Sequence, residues 1–351
     1  MSVFHDAFLS LVVTTTLTVS ANMRPANDIS CSFALFVYIT TFLIGVPANI
    51  LAFCTFCRKV RRKPAPIDIL LLNLTISDLI FLAFLPFKMK EAVNDFNWTL
   101  PYFLCPVTGY LFFSTIYNST LLLTAVSVER FLSVAYPVRF TAPGRVFHTQ
   151  LACAVFWILS LAHCSVVFVM QLDKDADNTT CYGHFNDVQL ITLLPVRLEM
   201  SLVLFCVPFL ISTFCYVNFI RILSRLPNIS QHRRLRAIGL ALGTLLVFAL
   251  CFGPYNVSHM VGIMQNKVPT WRNNAILLTT LNACLDPIVF YFSSSAVRST
   301  LSLCLKRIKA QLNPMATAAH AGNTPDPMVS THSSSQKFVA AAKSRTNYTP
   351  R

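Results

Sequence analysis

Charged residues are scarce in this sequence: Asp, Glu, Lys and Arg make up only 12% of its 351 residues. A typical soluble domain carries about twice that share, roughly 25%. Glycine is scarce as well, at 9 residues, and the chain has no Gly-rich phosphate-binding loop, no His-Glu-x-x-His zinc motif and no Ser-His-Asp spacing typical of a hydrolase. These absences argue against a soluble protein and against the common enzyme classes.

Hydrophobic residues make up 54% of the chain, with 29 phenylalanines and a mean hydropathy of +0.58. They form seven apolar segments, each near the length of about 20 residues that a bilayer requires. Backbone groups in lipid must be satisfied within the segment, so we predict an all-α bundle of seven transmembrane helices. The spans are residues 32–57, 67–89, 103–134, 149–172, 189–223, 235–264 and 272–294. Prolines inside them should kink the helices: Pro47, Pro86, Pro208, Pro254 and Pro287.

The net charge of +14 is unevenly placed. Most of the 28 Lys and Arg residues lie in the connections on one side of the predicted bundle and in the tail, among them Arg58, Lys59, Arg61, Arg62, Arg233, Arg234 and Arg236. The positive-inside rule makes that side cytoplasmic and the N-terminus extracellular. The basic charge therefore indicates membrane topology, and we predict no nucleic-acid-binding module.

The two ends of the chain differ from the bundle. Residues 1–31 form an extracellular N-terminal segment, in which Val19-Ser20-Ala21 resembles a signal-peptidase site; a signal peptide and an upstream extension with a start at Met23 are both open. Residues 295–309 predict an amphipathic helix lying in the membrane interface. Residues 310–351 are rich in Ala, Ser, Thr, Pro and Asn, which predicts a disordered cytoplasmic tail.

Polar and ionisable residues recur in order along the spans, where each is costly and hence a functional candidate. They include Asn49, Asp78, Glu129-Arg130-Phe131, Phe252-Gly253-Pro254 and Asp286-Pro287-x-x-Phe290. This set resembles the rhodopsin-like (class A) G-protein-coupled receptors over about residues 32–309. Three positions depart from the usual pattern: Asp-Arg-Tyr is Glu129-Arg130-Phe131, the span-six Trp is Phe252, and the span-seven Tyr is Phe290.

Three segments narrow the resemblance. Leu194-Pro195-Val196-Arg197-Leu198-Glu199, Cys251 to His259 and Leu281 to Pro287 are similar to the free fatty acid receptors, above all to those for short-chain carboxylates. The resemblance implies signalling at the plasma membrane through a heterotrimeric G protein, with arrestin recruited by phosphorylated tail residues. It also implies a Cys105–Cys181 disulfide. Activation roles are implied for Glu129, Arg130, Phe252, Asp286, Phe290, Asp78 and Asn49.

Two of these roles have an expected geometry. Arg130 should pair with Glu129 in the resting state and free its guanidinium on activation. Asp78, Asn49 and Asp286 should form a buried polar cluster that holds water or a sodium ion, or in which the two acids share a proton.

Three basic residues point to a ligand. Arg197 and Arg272 lie near the outer ends of spans five and seven, and His259 lies roughly 7–8 Å beyond Pro254 towards the outside. Two guanidiniums can clamp one carboxylate with paired, charge-assisted hydrogen bonds. Tyr255, one turn before His259, should line the same pocket, and the resemblance adds His163. Roles without a ligand are the alternatives. The arginines could extend only to the membrane interface, and the histidine could bond only a backbone carbonyl.

The expected ligand is therefore a small carboxylate, and short-chain free fatty acids fit the resemblance. Phe113 stands where short-chain members often carry Tyr, which leaves the chain length open. The alternatives are a membrane carboxylate transporter, which also needs basic residues in its spans, and a receptor for longer-chain fatty acids or another carboxylate. Asn97 and Asn178 head glycosylation sequons in outer loops, and Cys304 could carry a palmitate or be a buried thiol.

Overall fold

The computed structural model describes residues 29–137, 143–173, 181–182, 185–226, 230–294 and 296–306. The N-terminal segment before residue 29, the sequon at Asn178 and the tail beyond residue 306 lie outside the described residues. Within them the chain is helical, and no strand is found. Seven helices have the length and apolar composition needed to cross a membrane, which confirms the predicted all-α, seven-span fold.

The first four spans are single helices: α1 at Ile29–Arg62, α2 at Pro66–Val93, α3 at Leu104–Ala135 and α4 at Arg145–Leu172. Helix α5 consists of Asp187–Ser201, a π-helical turn at Leu202–Cys206 and Val207–Arg225. Helix α6 has the same design, with Gln231–Val247, a π-helical turn at Phe248–Phe252 and Gly253–Gln265. Helix α7 consists of Arg272–Thr280 and Asn282–Ser293, and residues 296–306 form the short helix α8.

Helix α3 is the centre of the bundle. It is the most buried of the seven spans, whereas α4 is the least buried. It packs against α2, α4 and α5, while α1 closes the ring by packing against α2 and α7. A side chain on α3 can therefore reach several other spans.

The helices run beyond the predicted apolar edges at one face of the bundle. Helix α1 continues to Arg62, α4 begins at Arg145 and α6 begins at Gln231. Long basic side chains let a helix continue through the headgroup region, because the stem stays in apolar surroundings and the charge reaches water or phosphate. We call this face the basic face. The opposite face holds the predicted disulfide between Cys105 and Cys181, whose Cα atoms are 5.7 Å apart, and we call it the disulfide face.

Both π-helical turns end two residues before a proline. Pro208 follows the turn in α5 and Pro254 follows the turn in α6. Proline has no N–H to donate to the carbonyl four residues earlier and its ring clashes with that carbonyl, so the helix widens there. The carbonyl that Pro208 leaves without its donor is that of Leu204, and Thr120 Oγ1 of α3 donates to it at 2.8 Å.

In α7, a side chain of another helix likewise bonds the carbonyl that a proline leaves without a donor. Pro287 leaves the carbonyl of Ala283 without its helical partner. Asn49 Nδ2 of α1 donates to that oxygen at 2.8 Å, and also to the carbonyl of Gly45 at 3.0 Å. At Pro208 and Pro287, a side chain of a neighbouring helix thus bonds the freed carbonyl, which ties α5 to α3 and α7 to α1.

Candidate functional site

A small cavity lies inside the bundle near the disulfide face. Its volume is about 20 Å³, on a scale where roughly 10–15 Å³ holds one water molecule. The cavity is therefore suited only to a small ligand. Helices α3 to α7 and the loop after α4 line it with Tyr110, Phe113, Tyr117, Cys164, Val167, Tyr182, Arg197, Met200, Tyr255, His259 and Arg272.

The local sequence explains how α5 presents Arg197. Asn186 and Gln189 form a capping box at the start of the helix, in which each side chain bonds the backbone N–H of the other residue, at 2.8 and 3.3 Å. Gln189 Nε2 also donates to the carbonyl of Met170 at the end of α4, at 3.4 Å. These bonds fix the helix start almost three turns before Arg197, which then points into the cavity together with Met200, three residues further on.

Arg272 reaches the cavity from the first residue of α7. The backbone N–H of Arg272 donates to the carbonyl of Pro269 at 3.1 Å, so a tight turn sets its direction. On α6, Tyr255 and His259 are four residues apart and share one face. Their rings meet edge to face at 4.5 Å between centroids. Four of the five predicted ligand-binding residues therefore come together.

Both arginines of the cavity are buried, and neither pairs with an acid in the part of the chain that the structure describes. Arg197 is 4% exposed and Arg272 is 6% exposed. No Asp or Glu in the described part of the chain forms an ion pair with either guanidinium. Arg197 Nη2 and Arg272 Nε have no hydrogen-bond partner there. A buried charge without a partner costs several kcal/mol, roughly 3–5, so the cavity favours an anion strongly.

Aromatic rings provide the contacts that the two guanidiniums do make. Arg197 Cζ lies 5.3 Å from the ring centroid of Phe185, and Arg272 Cζ lies 5.6 Å from that of Tyr255. Each such contact is worth on the order of 0.5–2 kcal/mol, less than a paired carboxylate would supply. Phe113 stacks on Tyr255 at 5.9 Å and 9°, which holds that ring in position. The rings orient the arginines and leave their polar edges for a ligand.

His163 has a different place. Its Nε2 lies 3.2 Å from Glu199 Oε1, and its Nδ1 lies 2.8 Å from the carbonyl of Leu159. It is not among the residues that line the cavity. The pairing also explains why Glu199, the nearest acid in sequence to Arg197, does not neutralise that arginine. The carboxylate of Glu199 points to α4 from another face of α5.

Comparison with known proteins decides the class of the chain. Residues 48–290 match the family described as 7 transmembrane receptor (rhodopsin family). Free fatty acid receptor 3 of Mus musculus is 50% identical over 277 residues, which cover 78% of this chain and 86% of that receptor. Free fatty acid receptor 2 of Homo sapiens is 45% identical over 291 residues, 81% of this chain and 88% of that receptor. The chain belongs to the free fatty acid receptor group of the rhodopsin family.

As a member of this family the chain is a G-protein-coupled receptor, not an enzyme, and it binds a small ligand and a G protein. The predicted receptor class and the narrower resemblance are confirmed. The alternative of a carboxylate transporter has no support, because the similar proteins are receptors. The ligand and its chain length are treated below, from the geometry of the cavity.

The three residues predicted to form a polar cluster are all buried within the bundle. Asn49, Asp78 and Asp286 are each at most 2% exposed. Asn282 Nδ2 donates to Asp286 Oδ2 at 3.0 Å. A cavity of about 10 Å³ lies beside Asp78 and Asn282, and one oxygen of each is buried without a hydrogen-bond partner among the described residues. That space and those oxygens fit one water molecule or one small cation.

The acid of the Glu129-Arg130-Phe131 motif is held by another helix. Glu129 Oε2 accepts a hydrogen bond from Arg145 Nη2 of α4 at 2.5 Å. No ion pair joins Glu129 to Arg130 among the described residues. Arg130 lies near Tyr216 of α5 instead. The expected resting pair of neighbours is thus replaced by a pair that ties α3 to the start of α4.

Other predicted residues can be placed as well. Phe252 and Phe290 are fully buried, and their rings meet Phe248 and Phe56 edge to face, each at 5.7 Å. Asn97 is exposed in the connection between α2 and α3, on the disulfide face. The thiol of Cys304 on α8 is half-buried. Glycosylation of Asn97 and palmitoylation of Cys304 stay predictions.

Several cavity residues escaped the sequence analysis. Tyr110 and Tyr117 share one face of α3 with Phe113, at spacings of three and four residues, and this aromatic stripe could have indicated them. Tyr182 follows the disulfide cysteine Cys181 in a loop, where no periodic pattern predicts its direction. It turns out to line the cavity from the disulfide face.

Proposed function

We propose that this receptor is activated by short-chain carboxylates of about two to six carbons. One observation carries the proposal: two buried guanidiniums line the same small cavity, and no carboxylate of the described residues pairs with either of them. The similar proteins are named as free fatty acid receptors, and a fatty acid is a carboxylate. The headgroup of such a ligand supplies the charge that the cavity lacks.

The chemistry of the headgroup follows from the donors. Guanidinium N–H groups and a carboxylate form charge-assisted hydrogen bonds, each worth about 1.5–3 kcal/mol net. Arg197 and Arg272 come from α5 and α7, so a carboxylate that both of them bind joins these two helices. His259 and Tyr255 on α6 lie beside them and extend the contact to a third helix.

Chain length follows from the volume. A cavity of about 20 Å³ leaves little room beyond the headgroup. Each buried methylene adds about 0.8 kcal/mol, which is roughly fourfold in affinity, but only while the tail stays inside. Few methylenes fit, so affinity depends mainly on the carboxylate and stays modest.

The membrane orientation and the other partners extend the proposal. Excess Lys and Arg at the basic face supports a cytoplasmic location for that face and an extracellular location for the disulfide face, with the receptor in the plasma membrane. A heterotrimeric G protein then binds at the basic face, near Glu129, Arg130 and Arg145, and arrestin binds the phosphorylated tail. The cavity at Asp78 holds a water molecule or a sodium ion.

A panel of carboxylates tests the proposal. Cells that express the full chain are given straight-chain acids from C2 to C18, and cAMP and calcium are both recorded. Primary amides and alcohols of the same lengths are the matched controls, because they keep the shape and lose the negative charge. We expect responses to the short acids and none to the uncharged analogues. Equal potency of acid and amide, or no response to any acid, rejects a carboxylate ligand.

A further inference from the structure

A second, larger cavity lies beside the small one on the disulfide face. Its volume is about 360 Å³, and we call it the vestibule. Helices α1, α2, α3 and α7 and the disulfide loop line it. Three residues, Phe113, Tyr182 and Arg272, line both cavities and so form the wall between them.

The members of this wall differ in how they are held. Arg272 supplies the proposed carboxylate contact, and Phe113 lies on a buried helix and is stacked on Tyr255. Tyr182 is the one that comes from a loop, directly after the disulfide cysteine Cys181. Its φ of +60° is uncommon for a bulky residue and costs on the order of 1–3 kcal/mol. Such a backbone conformation persists only where the surroundings enforce it.

Those surroundings hold the Tyr182 ring closely. Its hydroxyl donates to the carbonyl of Pro106 at 3.0 Å, and its backbone N–H donates to Gln171 Oε1 at 3.2 Å. Burial raises the pKa of this hydroxyl above its usual range, so it is a donor at any physiological pH. The ring fits into a notch at Gly109, where an added Cβ would overlap it. Phe113 meets it edge to face at 5.9 Å.

The vestibule suits the tail of a carboxylate. Its acid Glu91 is already paired with Lys88 at 2.7 Å, so it does not repel an anion. Aromatic and aliphatic side chains such as Phe96, Phe112 and Leu277 provide apolar walls. A ligand whose headgroup is at Arg272 would need only to pass the position of the Tyr182 ring to reach this space.

We propose that Tyr182 is a specificity-determining residue: its ring closes the small cavity towards the vestibule and sets the upper limit of ligand chain length. The vestibule is then a subsite for the tail of a carboxylate of about seven to ten carbons, closed in the wild-type receptor. This inference rests on the proposed carboxylate function. Gly109 positions the ring, because no other residue leaves room for it.

The test compares potencies of butyrate and octanoate in Tyr182→Ala and Tyr182→Leu, with receptor number at the cell surface measured in parallel. We expect the ratio of octanoate to butyrate potency to rise about 10-fold or more, since each methylene that enters the vestibule adds roughly fourfold. Tyr182→Phe keeps the ring and should keep the wild-type ratio. Adding Asn274→Trp, which fills the vestibule, should remove the gain of Tyr182→Ala.

Variants of Gly109 test the same wall by displacing the Tyr182 ring instead of removing it. Gly109→Ala should displace the ring and alter the ratio, and Tyr182→Ala should cancel the effect of Gly109→Ala because no ring is left to displace. Gly243→Ala is the matched control, since an added Cβ there meets no atom within 4 Å. Both Tyr182 variants at the surface with an unchanged ratio overturn the inference. If the wild-type receptor responds to no carboxylate, it is the proposed function that fails.

Discussion

Replacing either arginine of the small cavity should have opposite effects on response and on stability. We consider Arg197→Met and Arg272→Met, which keep an apolar stem and remove the charge. Each loses at least one charge-assisted hydrogen bond to the carboxylate, about 1.5–3 kcal/mol, so half-maximal concentrations should rise by about 10- to 150-fold. The ligand-free receptor should be stabilised, because the variant removes a buried guanidinium that pairs with no acid among the described residues.

The stability gain should be about 1–3 kcal/mol, within the range measured when buried charges are replaced by apolar residues. Guanine-nucleotide exchange in membranes measures the response to propionate, and thermal unfolding of the solubilised, ligand-free receptor measures stability. Arg197→Lys keeps the charge but not the planar fork, so it should lose response without the gain in stability. Lys90→Met, an exposed basic residue outside the cavity, should change neither.

The double variant adds a further constraint. If both arginines hold one carboxylate, the loss in the double variant should be smaller than the sum of the two single losses, because the first replacement already breaks the clamp. A wild-type dose–response in either single variant, at equal surface expression, would refute the reasoning. Loss of response together with a lower melting temperature would refute it as well, since that pattern belongs to a damaged fold.

Three further predictions concern the bundle. Thr120→Val should lower stability by about 1–3 kcal/mol because the carbonyl of Leu204 loses its donor, whereas Thr55→Val, whose hydroxyl bonds only within its own helix, should cost less. Asn49→Ala should destabilise more than Asn218→Ala for the same reason at Ala283. Arg145→Ala should destabilise more than Glu129→Gln, since it leaves the more buried partner charged and unpaired. Thermal unfolding of the solubilised receptor checks all three, and equal effects within any pair would contradict the assigned bond.

The seven spans could be predicted because a bilayer imposes one simple requirement on each segment, an apolar length of about 20 residues. The prolines that break the helices were equally visible. Hydropathy carries no information on the donor that satisfies each freed carbonyl, because this depends on how the helices are rotated against each other. Thr120 and Asn49 meet their carbonyls across 84 and 234 residues of sequence.

The cavity was predictable in part for a related reason. Arg197, Arg272, His259 and Tyr255 could be named because ionisable residues in spans are rare and because the motifs around them resemble a known family. The hydrogen-bond partners of the individual acidic residues could not be predicted from the sequence. Glu129 bonds Arg145 rather than its neighbour Arg130, and Glu199 bonds His163, since the geometry of a helix lets a side chain reach the next helix more easily than an adjacent residue.

The ligand site and the proline breaks lie on the same helices. Arg197 precedes the freed carbonyl of Leu204 by seven residues, roughly 10 Å along α5, and Arg272 precedes that of Ala283 by eleven residues of α7, roughly 16 Å. A carboxylate that draws the two arginines together thus acts on the part of each helix that precedes the proline, and there Thr120 and Asn49 join the freed carbonyls to α3 and α1. Coupling between distant sites needs an element that can take two arrangements, and a helix widened at a proline is such an element.

We therefore expect Thr120→Val and Asn49→Ala to change signalling without ligand in addition to stability. Unchanged basal nucleotide exchange in both would indicate that the ligand signal reaches the basic face along another route, through α6 and the rings of Phe248 and Phe252.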